Sequence, residues 1–192
     1  MNTLDAIAER RSIRKFQERP LPNEVLRQIL HAATLAPSGK NRQPWRFYVV
    51  RDEARAEMVR IMRAAIARFA EREEDTGSAK WTVEIMAQAP VTVFVVNPFV
   101  EYKQSLQNVG DMLSNVVDVQ SVGAAIQNML LAAWDLGVGS LWICDVFYAY
   151  EELCEWLGET HQMIAAVSLG YADESPDPRP RQSLDQVTRW IG

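Results

Sequence analysis

Val119 to Leu136, VQSVGAAIQNMLLAAWDL, constrains everything around it. At 3.6 residues per turn it makes one helix of about five turns. At 100° per residue, Gln120, Ser121, Gln127, Asn128 and Asp135 share one strip covering roughly a third of the circumference. The rest is apolar or small. A surface helix buries a single stripe, so this one calls for cover on two sides. Its own core supplies one cover. A second copy of the chain is the natural source of the other; the alternative is a central helix in a monomeric core.

Outward from this helix, Gly137 and Gly139 end it. Ser140–Cys144 then reads as a strand, Tyr148–Leu157 as a helix and Ile164–Leu169 as a strand. On the N-terminal side, residues 98–115 suggest a broken helix. Before them Pro90 opens Val91–Val96, VTVFVV, a continuous apolar run expected of a buried strand. Residues 53–69 are amphipathic, with Met58, Ile61, Met62, Ala65, Ile66 and Phe69 on one helical face. Glu71–Ser78 is a charged break, and Trp81–Gln88 a short helix. Trp45–Val50, WRFYVV, is aromatic and β-branched and reads as a strand. A helix opening at Pro22 turns Val25, Leu26, Ile29, Leu30 and Ala33 inward and stops near Ala36, because Pro37 disfavours helical geometry before it. Residues 3–9 form a short helix. The tail has prolines at 176, 178 and 180 and is expected to be extended. Its Val187, Trp190 and Ile191 need burial, for which a partner subunit is the candidate. Strands alternate with helices, but long ordered insertions break the pattern. That predicts an α+β layer fold, in one domain over residues 1–192, rather than a doubly wound sheet.

The 192 residues, 48% hydrophobic and 23% charged, suit a globular core. The opening MNTLDAIAERR carries acids and no apolar run, so no secretory signal is visible. The helix at 119–136 is too interrupted by polar groups to suggest a bilayer span. Two cysteines make no disulfide framework, and two histidines are too few for a His-rich metal site. A cytoplasmic, reduced, metal-free protein is the expectation. The net charge of −5 is uneven: residues 1–63 carry 13 Lys and Arg against 7 Asp and Glu. An acidic whole argues against nucleic-acid binding, so the basic front end calls for a small anion or for the acidic remainder of the chain. Arg10, Arg11, Arg14 and Lys15 lie within six residues and repel one another unless an anion or carboxylates answer them.

Gly39-Lys40 lacks the earlier glycine and the Ser/Thr of a P-loop, and Gly137-x-Gly139 follows a helix and precedes a strand, the wrong order for a dinucleotide loop. Nothing marks His31 or His161 as a base for a nucleophile. What remains is anion-binding and hydrogen-bonding groups, the equipment of a protein whose cofactor carries the chemistry.

Arg10-Arg11-Ser12-Ile13-Arg14-Lys15-Phe16, followed by Ala36-Pro37-Ser38-Gly39-Lys40-Asn41-Arg42-Gln43-Pro44-Trp45, resembles the FMN-dependent nitroreductase family. So do Gly123–Asn128 with Leu136–Ser140, and Leu169-Gly170-Tyr171 with Pro178-Arg179-Pro180-Arg181. The resemblance implies a nitroreductase-like three-layer α-β-α sandwich with a mostly antiparallel central sheet. It further implies an intertwined homodimer with an exchanged C-terminal tail and two FMN sites at the interface. In similar proteins the N-terminal basic motif meets FMN, which assigns Arg10, Ser12 and Arg14 to it, with Arg11 close by. Arg179 and Arg181 match the late basic pair that closes on the phosphate. Pro37, Ser38 and Gly39 would reach the flavin from the partner subunit, with Asn41 and Gln43 in the same loop. Trp142, Ile143, Cys144 and Asp145 match the strand end along the isoalloxazine ring, although many relatives have Pro-x-Glu-Gly or a Gly-rich sequence there.

The implied activity is an oxidoreductase passing hydride from NADH or NADPH through flavin N5 to an electron-poor small molecule, a nitroaromatic or quinone, by a ping-pong route. No catalytic side chain is required. The alternatives are a reductive dehalogenase or other specialised flavin reductase on the same scaffold, and a flavin-binding sensor without turnover.

Overall fold

The computed structural model describes residues 2–103 and 108–192. Strands β1 (Arg46–Arg51), β2 (Val91–Glu101), β3 (Gly139–Ile143) and β4 (His161–Gly170) form an antiparallel sheet in the order β1-β2-β4-β3. Side chains alternate across a strand, so the Val91–Val96 run feeds two cores. Val91, Val93 and Val95 join Ala165, Val167 and Leu169 under α2 (Asn23–Thr34) and α5 (Val109–Asp135). Phe94 and Val96 join Met163 and Ala166 under α3 (Ala54–Glu71), α4 (Ala79–Gln88) and α6 (Tyr150–Leu157). The result is helix, sheet, helix: three layers, as expected. The short α1 (Thr3–Glu9) lies beside α5.

The stretch before the central helix differs from its sequence reading. β2 runs on to Glu101, past Pro98, through a register shift between Asn97 and Glu101. Pro98 has no N–H to donate, and such an irregularity is where a strand tolerates it. Residues 104–107 lie outside the description. From Val109 the helix is unbroken for 27 residues, because Asn108 caps it by accepting from the Asp111 N–H at 3.0 Å.

Two residues of that helix's polar strip bond to neighbouring elements. Ser121 is buried; its hydroxyl donates to the Val117 carbonyl at 2.7 Å and accepts from the Gly39 N–H. The Asn128 amide donates to the Ala32 carbonyl of α2 at 3.2 Å. Beside the exposed Asp111, Ser114, Gln120 and Asp135, α5 also leaves apolar side chains exposed: Val109, Met112, Leu113 and Val116 follow helical spacing along its first turns. At this length, and with a mean hydropathy of 1.3 in its apolar window, α5 could cross a bilayer by length and composition. Its buried stripe, from Asp118 to Ala133, packs on α2 and the sheet as a core helix does.

The tail departs from a purely extended form. Leu184–Val187 makes one helical turn, α7, closed by a reciprocal Ser183–Gln186 capping box. Val187, Trp190 and Ile191 stay exposed.

One buried polar knot ties β1 to β4. Glu159 accepts from Arg46 Nη1 at 2.9 Å, from the Tyr48 hydroxyl at 2.6 Å, and from the Thr160 and His161 N–H groups. The His161 ring nitrogen Nδ1 lies 2.5 Å from it. Burial alone would push the Glu159 carboxyl up. The hydrogen bonds from Tyr48, His161 and Thr160 outweigh it and hold the pKa at about 2. That is below the value in an unfolded chain, so the unfolded state binds the proton more tightly. The gain is about 3 kcal/mol, at 1.36 kcal/mol per pKa unit. It is complete above about pH 5 and disappears as the pH falls toward 2. Glu159→Gln is therefore expected to lower the Tm at pH 7 and to flatten its fall between pH 5 and pH 2. Tm measured against pH for both proteins checks this; parallel curves would contradict it.

Candidate functional site

The N-terminal basic segment is laid along the outer edge of β3. Ser12 bridges Ser140, and the Ile13 N–H donates to the Ser140 carbonyl at 2.9 Å. This approach needs Gly139, since a Cβ there would stand 3.0 Å from Ile13. Further on, Phe16 bridges Ala172, the Gln17 N–H donates to the Tyr171 carbonyl, and the Asp173 N–H donates to the Lys15 carbonyl. The Glu174 carboxylate accepts from the N–H groups of Arg14 and Lys15. The two ends of the chain are thereby fastened together.

This arrangement gathers Arg10, Arg11, Ser12, Arg14, Arg179 and Arg181 around one cleft of about 430 Å³. Asp177 is the single acid on its wall. Among the described residues none of the five guanidinium groups forms an ion pair with a carboxylate. Arg11 is turned to the Ala8 and Arg10 carbonyls, Arg14 to the Ser12 carbonyl, and Arg181 to the Pro180 carbonyl. These acceptors leave the positive charge uncompensated. Burial, then the nearby charges of Arg181 and Arg11, lower the pKa of Arg10. An anion in the cleft would relieve that repulsion, and guanidinium forks match phosphate oxygens in geometry.

A second cavity, of about 500 Å³, lies at the far end of β3. Tyr102, Asn115, Trp142, Cys144, Phe147 and Tyr150 are on its wall. Ser140 and Trp142 share the face toward α5, where the Trp142 ring would meet a Cβ on Gly123 at 3.8 Å. Leu141 and Ile143 point into the opposite core, so only the backbone of Ile143 is offered to this side. Asn115 Oδ1 is buried with no donor among the described residues. Burial and the adjacent Asp145 charge raise the Cys144 thiol, outweighing a hydrogen bond from Trp142. A protonated thiol is a poor nucleophile. From Ser140, beside the cleft, to Cys144, in the cavity wall, the chain advances ~14 Å at about 3.4 Å per residue, so the two spaces lie along the same strand.

Pro37, Ser38, Gly39, Asn41 and Gln43 border neither space. Their loop is laid across α5. Arg42 grips Asp118 through Nε and Nη2, each at 3.1 Å. Arg42, Asp118 and Glu174 were not anticipated from the sequence; their partners are 76 and 160 positions away, and no local pattern announces them. A further cavity of about 910 Å³ lies behind residues 16–21, and none of the anticipated site residues lines it.

Comparison with known proteins places this geometry in context. The model of the nitroreductase family matches residues 7–171. A protein of Archaeoglobus fulgidus, provisionally named an NADH dehydrogenase/NAD(P)H nitroreductase, is 36% identical over 180 residues, 91% of this chain and 87% of its own. The iodotyrosine deiodinase of Thermotoga neapolitana is 29% identical over 185 residues, 95% of this chain and 94% of its own. Among solved structures, a protein of Desulfovibrio desulfuricans in complex with FMN is 28% identical, with a TM-score of 0.76 over 100% of this chain and 98% of that one. A match over most of the sequence and a shared fold agree with the three-layer architecture and its sheet order: the chain belongs to the nitroreductase family.

Proposed function

We propose that the protein is an FMN-dependent oxidoreductase that uses NADH or NADPH to reduce an electron-poor small molecule, acting as a homodimer. The observation that carries this reading is the uncompensated arginine cleft at one end of β3 with an aromatic cavity at the other. A ligand with a dianionic head and a flat, hydrogen-bonding ring suits both ends. The FMN in the Desulfovibrio desulfuricans relative and the names of the curated relatives support it.

In this reading Arg10, Arg14, Arg179 and Arg181 hold the phosphate, and Ser12 and Arg11 border the chain that follows. Trp142 and the backbone at Ile143 and Cys144 flank the ring. A flavin held by these residues would supply two-electron hydride chemistry between a nicotinamide and an acceptor that take the same place in turn. The Cys144 thiol, protonated, takes no covalent part.

Two surfaces support the dimer. The stripe Val109, Met112, Leu113, Val116 on α5 is apolar and exposed, as are Trp190 and Ile191 in the tail. Such a stripe fits the same stripe on a second copy about a two-fold axis. The loop with Pro37, Ser38, Gly39, Asn41 and Gln43, remote from the cleft of its own chain, would then serve the partner's flavin. The iodotyrosine deiodinase relative favours a second reading, reductive dehalogenation of halophenols. Turnover of halophenols without turnover of nitroaromatics would select it.

The purified protein, supplied with FMN, is expected to show a flavin spectrum that bleaches under anaerobic NADH or NADPH. A protein that ignores added FMN would refute the proposal; bound flavin that neither nucleotide reduces would leave only a sensor. Arg14→Ala is expected to weaken FMN retention by about tenfold, near 1.4 kcal/mol, with the dimer mass unchanged. Fluorescence titration with FMN and light scattering check the two halves, and unaltered affinity would count against the assigned contact.

A further inference from the structure

Three residues other than glycine in the loop between α2 and β1 adopt left-handed backbone angles: Lys40, Asn41 and Gln43, with φ of 52°, 54° and 53°. Each costs about 1–2 kcal/mol relative to the right-handed region. A plain helix-to-strand connection does not need them. The side chains of all three are exposed, so no core burial offsets the strain. Something else must hold the shape.

The restraint comes from α5. Asp118 is buried, and its carboxylate receives the Arg42 guanidinium in a two-pronged contact at 3.1 Å and 3.1 Å. The Arg42 head also lies 4.5 Å from the centre of the Phe99 ring. One turn along the helix, the Ser121 hydroxyl accepts from the Gly39 N–H at 3.3 Å. Gly39 sits so close to Val117 that a Cβ there would collide with it. Within the loop, Ser38 Oγ accepts from the Gln43 N–H at 3.0 Å. Asp118 has little else to do: without Arg42 it would be a bare carboxylate in the protein interior, an expensive state. Pair and strain therefore maintain each other.

We infer that the Arg42–Asp118 ion pair is a positioning element for flavin binding, which clamps the loop in its left-handed shape so that Ser38, Asn41 and Gln43 are presented, already ordered, to the flavin of a second subunit. This rests on the proposed flavin site and dimer. Neither Arg42 nor Asp118 need touch the flavin. Their contribution is to remove the ordering cost that a relaxed loop would bear at the moment of binding.

The test is FMN affinity, by fluorescence titration of the full-length dimer. Asp118→Asn keeps the size of the side chain and removes its charge. It is expected to weaken FMN binding by about tenfold, with far-UV circular dichroism and dimer mass unchanged. Adding Lys40→Gly to that variant should recover about threefold, because glycine takes φ > 0 without penalty. The titration reads the affinity of the folded dimer, so a change in global stability alone does not move it; the denaturation midpoint of each variant reports that change separately. Should Asp118→Asn fail to fold, Arg42→Lys serves in its place: it retains the charge but offers one prong, and a loss of about threefold or more is expected. Affinity within about twofold of the natural protein in the folded variant would overturn the inference alone, as would a weakened variant that Lys40→Gly does not improve. A natural protein with no FMN affinity would instead overturn the parent reading, and this one with it.

Discussion

The pairing of β2 with β4 is the constraint from which the rest follows. Both strands are central, and over Val91–Val96 and Met163–Leu169 their apolar side chains belong to one of two cores. A sheet with two apolar faces needs a helical layer on each. That demand places α5 across one face, and it leaves β3 with an outer edge open. The N-terminal segment takes up part of that edge at Ser12 and Ile13. The arginine cleft exists because of this one contact: the residues on either side of it are carried to the rim of the sheet. A chain with an acidic total thus displays a concentrated cationic spot where its own backbone has brought like charges together.

Much of this arrangement could be read from the letters, for a simple reason. Strand and helix types follow from short local signals: the continuous apolar run VTVFVV, the aromatic and β-branched WRFYVV and the amphipathic period over residues 53–69 carry them. The need for cover on two sides of α5 was also legible, because it follows from how little of the helix is polar. Which sides those are was not. Ser121 and Asn128, which the sequence places only in a polar strip, are bonded to the Gly39 loop and to α2. A polar residue in a pattern says only that it needs a partner, not that the partner is water. The start of α5 was missed because its cap at Asn108 follows a strand lengthened by an irregularity at Pro98, and neither signal is periodic.

The candidate site divides along the same line. Clustered arginines announce themselves, since repulsion among neighbours in sequence demands an answer from somewhere. Side chains that act by holding others in place send no such signal. Asp118 in a helix and Glu174 in a proline-rich tail are ordinary letters until the fold brings Arg42 and the Arg14 N–H to them. The left-handed backbone at Lys40, Asn41 and Gln43 is equally silent, because none of the three is a glycine.

The fastening of Arg14 and Lys15 to Glu174 has a bearing on the order of events in the life of the molecule. The bond joins positions 160 residues apart, so the arginine cleft cannot be completed while the ribosome is still making the tail. The layered core, by contrast, is nearly whole once β4 has emerged, with the arginines at 179 and 181 still to come. Folding of the core and completion of the cleft are thereby separated in time. For the same reason a protease that clipped the proline-rich end would disarm the cleft while sparing the hydrophobic interior.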